Sequence, residues 1–177
     1  MPIIRQIVQL GHEILRLKAV PVKEINKPSI QSLIDDMLIT ISDTDGVGIA
    51  APQLYESLQI FIMASRPNSR YPNAPSMEPT AIINPEILWF SEEQDKDWEG
   101  CLSIPGIRGF VPRYKSINVK YLTRDGSIKE QTFSDFLSRI FQHESDHLHG
   151  ISFLDRLEST KDIITEKEFN KIITRCK

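Results

Sequence analysis

Long apolar runs are missing from this chain, which offers only stretches of a few residues where a membrane-spanning helix needs about 20. The amino terminus, Met1-Pro2-Ile3-Ile4-Arg5, lacks the basic, apolar and small-residue order of a secretory signal. Both absences predict a cytoplasmic protein without membrane association. Cysteine is scarce: there are only Cys101 and Cys176, and a reducing compartment argues against a disulfide between them. Cys176, near the carboxyl end, is expected to be inert. An excess of either charge is absent too. The net charge of −3 is spread over both signs, so no sequence-specific nucleic-acid binding is expected. No internal repeat breaks the chain into units. What remains is 40% hydrophobic and 25% charged, the composition of one globular domain over 1–177 that folds without staples.

Ile30, Leu33, Ile34, Met37, Leu38 and Ile41 recur at three- and four-residue steps. That spacing predicts an amphipathic helix, capped by Ser29 after Pro28. A small, glycine-rich block at 46–53 leads into the strand-like run Gln59-Ile60-Phe61-Ile62-Met63. Residues 65–79, with Pro67, Pro72, Pro75 and Pro79, read as a surface loop, and Ala81-Ile82-Ile83 as another extended piece. Ile117, Val119 and Tyr121 alternate as in a half-buried strand, and Asp125-Gly126 makes a hairpin turn before Ile128. Ser134 to His149 reads as a helix stopped by Gly150. A last amphipathic helix is expected from about Thr160, carrying Ile163, Ile164, Phe169, Ile172 and Ile173. The predicted class is α+β, with mixed or antiparallel strands packed around a central helix and a C-terminal helix at 160–177.

That central helix carries His143-Glu144-Ser145-Asp146-His147. Two imidazoles at i and i+4 share one face, one turn apart, so both can reach one metal ion at about 2.0–2.1 Å. Glu144 lies between them, free to act on a bound water. Alone, the pattern also fits a solvated helix; it needs a third ligand. Cys101, in Glu99-Gly100-Cys101-Leu102-Ser103, can supply one and leave the fourth position open, which separates a catalytic site from a closed structural one. His12 and His149 read as solvent-facing or structural. The block Gly46-Val47-Gly48-Ile49-Ala50-Ala51-Pro52-Gln53 precedes a strand and lacks the lysine of a P-loop and the third glycine of a dinucleotide fold. Its functional alternative is close backbone approach to an extended peptide, with Gln53 offering an amide donor.

Together these blocks resemble the peptide deformylase family, whose signatures are GxGxAAxQ, EGCLS and HExDH. The chain has GVGIAAPQ at 46–53, EGCLS at 99–103 and HESDH at 143–147, in that order. The likeness continues through Ile104-Pro105-Gly106, Arg108 and Val111-Pro112-Arg113, and covers roughly residues 4–157.

The resemblance implies a hydrolase that removes the N-terminal formyl group from formyl-methionyl nascent polypeptides and releases formate. Cys101, His143 and His147 would bind one divalent metal, Fe²⁺ in the cell, with Zn²⁺, Ni²⁺ or Co²⁺ as substitutes. A metal-bound water would attack the formyl carbon, with Glu144 as general base and then acid. Gln53 and the backbone N–H of Leu102 would stabilise the oxyanion. Val47, Gly48, Ile49 and Gly100 would pair with the peptide as an added strand. Phe136 and Ile140 share the face of His143 and are placed to line a methionine pocket, although Phe136 serves equally well as core. Arg108 matches a family position near that pocket, while Arg139 stands where some bacterial members have an apolar residue. Asp146 is expected to pair with Arg113 behind the metal. Lys161, Lys167, Lys171, Arg175 and Lys177 make the tail basic, and related enzymes can dock on the ribosome through this end. A zincin-type peptidase is the rival reading, opposed by the cysteine ligand. A non-enzymatic metal- or ribosome-binding module would need a damaged motif, and Glu144, Gln53 and Cys101 are all present.

Overall fold

The structure, a computed structural model, describes residues 1–175 and the side chains of 1–173; Cys176 and its expected inert thiol fall outside them. The elements run α1 (Pro28–Ser42), β1 (Gly48–Ala50), β2 (Ile60–Met63), β3 (Thr80–Phe90), β4 (Gln94–Cys101), β5 (Ile104–Tyr114), β6 (Ser116–Leu122), β7 (Ile128–Ser134), α2 (Asp135–Leu148), β8 (Ile163–Thr165) and α3 (Glu166–Arg175).

The expected stripe on α1 faces the core, Leu38 only partly buried, but the helix starts one residue before the expected cap. Pro28 occupies the first turn and extended Lys27 is the cap, so Ser29 lies inside the helix. Proline suits this place, because its missing N–H is one the first turn leaves unpaired anyway.

One sheet has the order β1-β2-β3-β6-β7 and a second the order β4-β5-β8. Every pairing within them is antiparallel. The five-stranded sheet lies between α1 and α2. Alternate residues of β2 serve the two sides: Ile60 and Ile62 pack with Ile34, Met37 and Ile41 of α1. Phe61 and Met63 pack with Ile140, Phe141 and Leu148 of α2. Burial on both faces explains the unbroken apolar run in this strand, since side chains in a strand alternate between faces. Burying a side chain such as Phe141 contributes about 1.5–3 kcal/mol.

The turn at Asp125-Gly126 forms as expected, with Gly126 at φ +86° and Ser127 O accepting from Thr123 N at 2.9 Å. Ser134 occupies the cap position of α2, but its hydroxyl shares a hydrogen bond with Ser116 Oγ at 2.9 Å. Gly150 follows the helix at φ +72°.

The expected helix from Thr160 is corrected. Residues Thr160–Asp162 form a short 3₁₀ turn, Ile163 and Ile164 lie in β8, and helix begins only at Glu166. The β-branched run Ile-Ile-Thr suits a strand, and β5 has an open edge for it to pair with, Arg108 opposite Ile164.

Candidate metal centre

The i, i+4 spacing on α2 does what it predicts: the rings of His143 and His147 lie 5.1 Å apart between centroids. Cys101 is the last residue of β4, immediately before the two-residue turn into β5. The β4–β5 register shifts between Glu99 and Cys101, an irregularity of the kind that re-aims side chains beside functional sites. Cys101 Sγ lies 3.3 Å from His147 Nε2, and ligand atoms of Cys101, His143 and His147 all fall within 4.8 Å of one another.

This donor set fits a metal ion. Bond lengths of about 2.3 Å to sulfur and about 2.0–2.1 Å to nitrogen place tetrahedral S and N ligands roughly 3.5 Å apart, close to the separation found. The local field fits as well. Burial pushes the Cys101 thiol up, yet His147 and His143 outweigh it and hold the thiol well below its ordinary range. Burial likewise pulls His143 down, but Cys101 and Glu99 raise it well above the usual imidazole value. The cluster thus favours a thiolate beside positive charge, which a metal would supply in place of protons.

Behind the ligands lies a chain of alternating charge. Glu99 Oε2 accepts from His143 Nδ1 at 2.9 Å, which leaves Nε2 for the metal. Arg113 grips Glu99 with Nε to Oε1 at 2.8 Å and Nη2 to Oε2 at 3.0 Å, and donates to Asp146 at 2.6 Å, so the expected Arg113–Asp146 pair exists. Arg156 holds the other side of Asp146 at 2.6 Å. Burial favours the neutral form of Glu99, but Arg113 and the His143 hydrogen bond win and hold its carboxyl far below the usual range.

Glu144 is buried, and its Oε2 has no hydrogen-bond partner among the described residues. Burial pushes its carboxyl up to about 7, against the pull of His143 and His147. Gln53 is oriented by its own loop: Oε1 accepts from Ala50 N at 2.8 Å, so Nε2 points to Ser103 Oγ at 3.1 Å and Cys101 Sγ at 3.4 Å.

A cleft opens over this centre. Val47, Gly48, Gln53, Gly100, Leu102, Phe136 and Ile140 line it with Cys101, His143 and Glu144. His147 lies beneath, in the ligand cluster. Two expected residues do not reach the lining. The Ile49 side chain is wholly inside the α1-side core. Arg108 is 1% exposed, pairs with Glu166 at 2.9 Å and sits between the rings of Tyr71 and Phe169. Arg70, Tyr71, Trp98 and Arg139 also line the cleft. None of the first three stands in a motif that marks a site, and Arg70 and Tyr71 lie in a proline-marked loop. His12 caps the 3₁₀ turn Glu13–Arg16 through Ile14 N, and His149 bonds Ser145 O, so both are structural.

Comparison with known proteins agrees with this geometry. The family model described as Polypeptide deformylase matches residues 4–162. "Peptide deformylase 2" of Nostoc sp. is 53% identical over 98% of this chain and 97% of its own. "Peptide deformylase 2" of Shewanella oneidensis is 41% identical over 92% of this chain and 89% of its own. A class I type b peptide deformylase from Acinetobacter baumannii, solved with Met-Ala-Ser bound, superposes with a TM-score of 0.86 at 47% identity, covering 89% of this chain and 100% of that one.

Proposed function

We propose a residue-level reaction for this centre from the premise that the chain belongs to the polypeptide deformylase family and is a metal-binding hydrolase of that kind. Its substrates are N-formyl-methionyl peptides, and its products are formate and a free amino terminus. The observation that carries this reading is one site uniting the Cys101, His143 and His147 donors with the buried Glu144 carboxyl, whose Oε2 has no partner among the described residues. The Met-Ala-Ser held by the Acinetobacter relative supports the same ligand class here, because it is a peptide with an unformylated amino-terminal methionine.

Cys101, His143 and His147 would hold a divalent ion, which would supply Lewis acidity to the cleft and make water there easier to deprotonate. Fe²⁺ is the ion we assign in the cell, with Zn²⁺, Ni²⁺ or Co²⁺ able to substitute in a site of one sulfur and two nitrogens. Glu144, pushed up to about 7, is poised to take a proton from the attacking water and deliver it to the leaving amine. The Gln53 amide, already turned toward Cys101, and the Leu102 N–H donate to the developing oxyanion. Phe136 and Ile140 form the apolar wall for the methionine side chain. Strand β1 ends one sheet and β4 the other, and Val47, Gly48 and Gly100 border the cleft from these two edges. An extended peptide adds to such an edge through its backbone, which makes the enzyme selective for one side chain and tolerant beyond it.

The apolar clusters on the two faces of the five-stranded sheet share its strands β2 and β3, which supports reading the chain as one catalytic domain. Among the described residues no helix is long and apolar enough to cross a membrane, and we assign the cytoplasm as the setting. Docking on the ribosome through 160–177 is a further part of the proposal; unchanged co-sedimentation after deletion of that segment removes it.

The test of the chemistry is formate release from formyl-Met-Ala-Ser beside the unformylated peptide. Glu144→Ala is expected to keep its metal and lose roughly 10²–10⁴-fold in turnover, the usual worth of a general acid–base group. A metal-loaded Glu144→Ala protein with normal turnover overturns the assignment.

A further inference from the structure

Arg139 stands four residues before His143 on α2, so both side chains leave one face of the helix, one turn apart. They meet again on a single carboxylate. Arg139 Nη1 donates to Glu99 Oε1 at 2.9 Å, and His143 Nδ1 bonds Glu99 Oε2 at 2.9 Å. The same guanidinium donates to Asp95 O and to Val111 O, both at 2.8 Å. Those carbonyls belong to β4 and β5, the two strands of the hairpin that carries Cys101. One side chain therefore ties the element bearing the sulfur to the element bearing both imidazoles. Although it borders the cleft, Arg139 is 6% exposed and both its Nη1 and Nη2 groups bond the protein, so it is not a free cation for substrate. Arg113 does not duplicate this link: it grips Glu99 from within the hairpin and reaches α2 only at Asp146, beyond His143.

From this juxtaposition we infer that Arg139 is a positioning residue of the metal centre, fixing Glu99 against His143 and the hairpin against α2. The inference rests on the metal site proposed above. A purely structural brace lowers stability alone. A positioning residue lowers metal affinity, and does so only while Glu99 is there to be positioned.

The experiment measures Co²⁺ affinity of the metal-free full chain by competition with a chromophoric chelator, following the cobalt–thiolate absorption. Arg139→Met is expected to weaken binding about tenfold, the low end of the roughly 10–100-fold range for lost outer partners, because Arg113 still holds Glu99. Arg139→Lys keeps the charge but not the forked geometry, and loses about threefold. In a Glu99→Gln background Arg139→Met costs less than about twofold more, since interacting residues are non-additive. Arg139→Met within twofold of wild type overturns the inference, as does an equal loss in both backgrounds. Should Arg139→Met fail to fold, Arg139→Lys with wild-type affinity overturns it alone. Wild-type protein that binds no cobalt removes the metal site itself, a different result from unchanged binding in the variants.

Discussion

Replacing Gly48 by alanine is the sharpest perturbation the structure offers. A Cβ built there falls 2.4 Å from Glu144 Oε1 and 2.8 Å from its Cδ and Cγ. Three atoms of the side chain are too close, so rotating the carboxylate in place does not relieve the contact; the group must move by about 1 Å to restore an ordinary separation. A misplacement of that size can cost on the order of 10²-fold, or about 2.7 kcal/mol of barrier. The backbone itself gives no reason for loss, because Gly48 is not among the positive-φ glycines. Gly→Ala at a compatible site stabilises by about 0.4–1 kcal/mol, which opposes any packing cost. The expected result with formyl-Met-Ala-Ser is a kcat roughly 100-fold lower, with metal content retained and the melting temperature little changed. If Gly48 serves only to pair with the peptide, KM rises instead and kcat holds. That outcome, or a kcat within about threefold of wild type, refutes the argument. Gly106→Ala is the control: its φ of +76° costs about 1–2 kcal/mol, but no atom lies within 4 Å of the new Cβ, so stability falls while kcat stays.

Gly150→Ala combines φ +72° with a Cβ 2.5 Å from the Arg16 carbonyl oxygen, and is expected to cost at least about 2 kcal/mol, or roughly 4–8 °C in thermal unfolding. Asp155 closes the turn after α2. Burial pushes its carboxyl up, but the Ser152 N–H at 2.7 Å, Arg16 and the Ser152 hydroxyl prevail and hold it below the ordinary range. A depressed carboxyl contributes stability above its unfolded value of about 3.9 and loses it as pH falls through the folded one. Asp155→Asn should therefore lower stability by about 0.5–1 kcal/mol near neutrality, discounted for exposure, with the gap closing below about pH 4 in denaturant titrations. Stripping the metal with a chelator should lower the melting temperature, because an ion at 100 times its Kd stabilises by about 2.7 kcal/mol. Cys101→Ser protein should melt at the same temperature with or without chelator; a retained metal-dependent rise would mean the sulfur is not a ligand.

Helices α1 and α2 were legible, the first from apolar residues at three- and four-residue steps and the second from Ser134 and Gly150 at its ends, and both fall within a residue or two of their expected bounds. The cluster of Cys101, His143 and His147 was legible because two of them share a helix at fixed spacing and the third lies in a short, distinctive block. The β4–β5 hairpin was not. Pro105, Gly106, Gly109 and Pro112 punctuate β5 as though it were loop, while the structure uses them within a strand of 11 residues. Gly109 shows why: a Cβ there would lie 2.7 Å from the Phe153 ring, so the residue marks close packing rather than a turn. Ile163 and Ile164 carried a helical spacing, yet the decision between helix and strand lay in the open edge of β5, which no local pattern records. Arg139 departs from some family members in sequence, but its bonds reach residues 28 to 44 positions away and only the folded chain unites them.

The two elements that supply the candidate metal ligands are joined by different forces on their two sides. Helix α2 packs Ile140, Phe141 and Leu148 against the five-stranded sheet, an apolar contact of the usual kind. Toward the hairpin it presents Arg139, His143 and Asp146, which meet Glu99, Arg113 and strand carbonyls. Buried ions of this sort are poor stabilisers, since desolvation cancels much of their attraction. Apolar packing, however, is non-directional and leaves two surfaces free to slide by fractions of an ångström. Charge-assisted hydrogen bonds hold donor and acceptor to a narrow distance and angle, here 2.6–3.0 Å from Asp146 to Glu99 through Arg113. A centre whose sulfur and nitrogens come from separate elements needs that directional precision more than it needs stability. The apolar face of α2 makes the fold, and its charged face sets the geometry of the site.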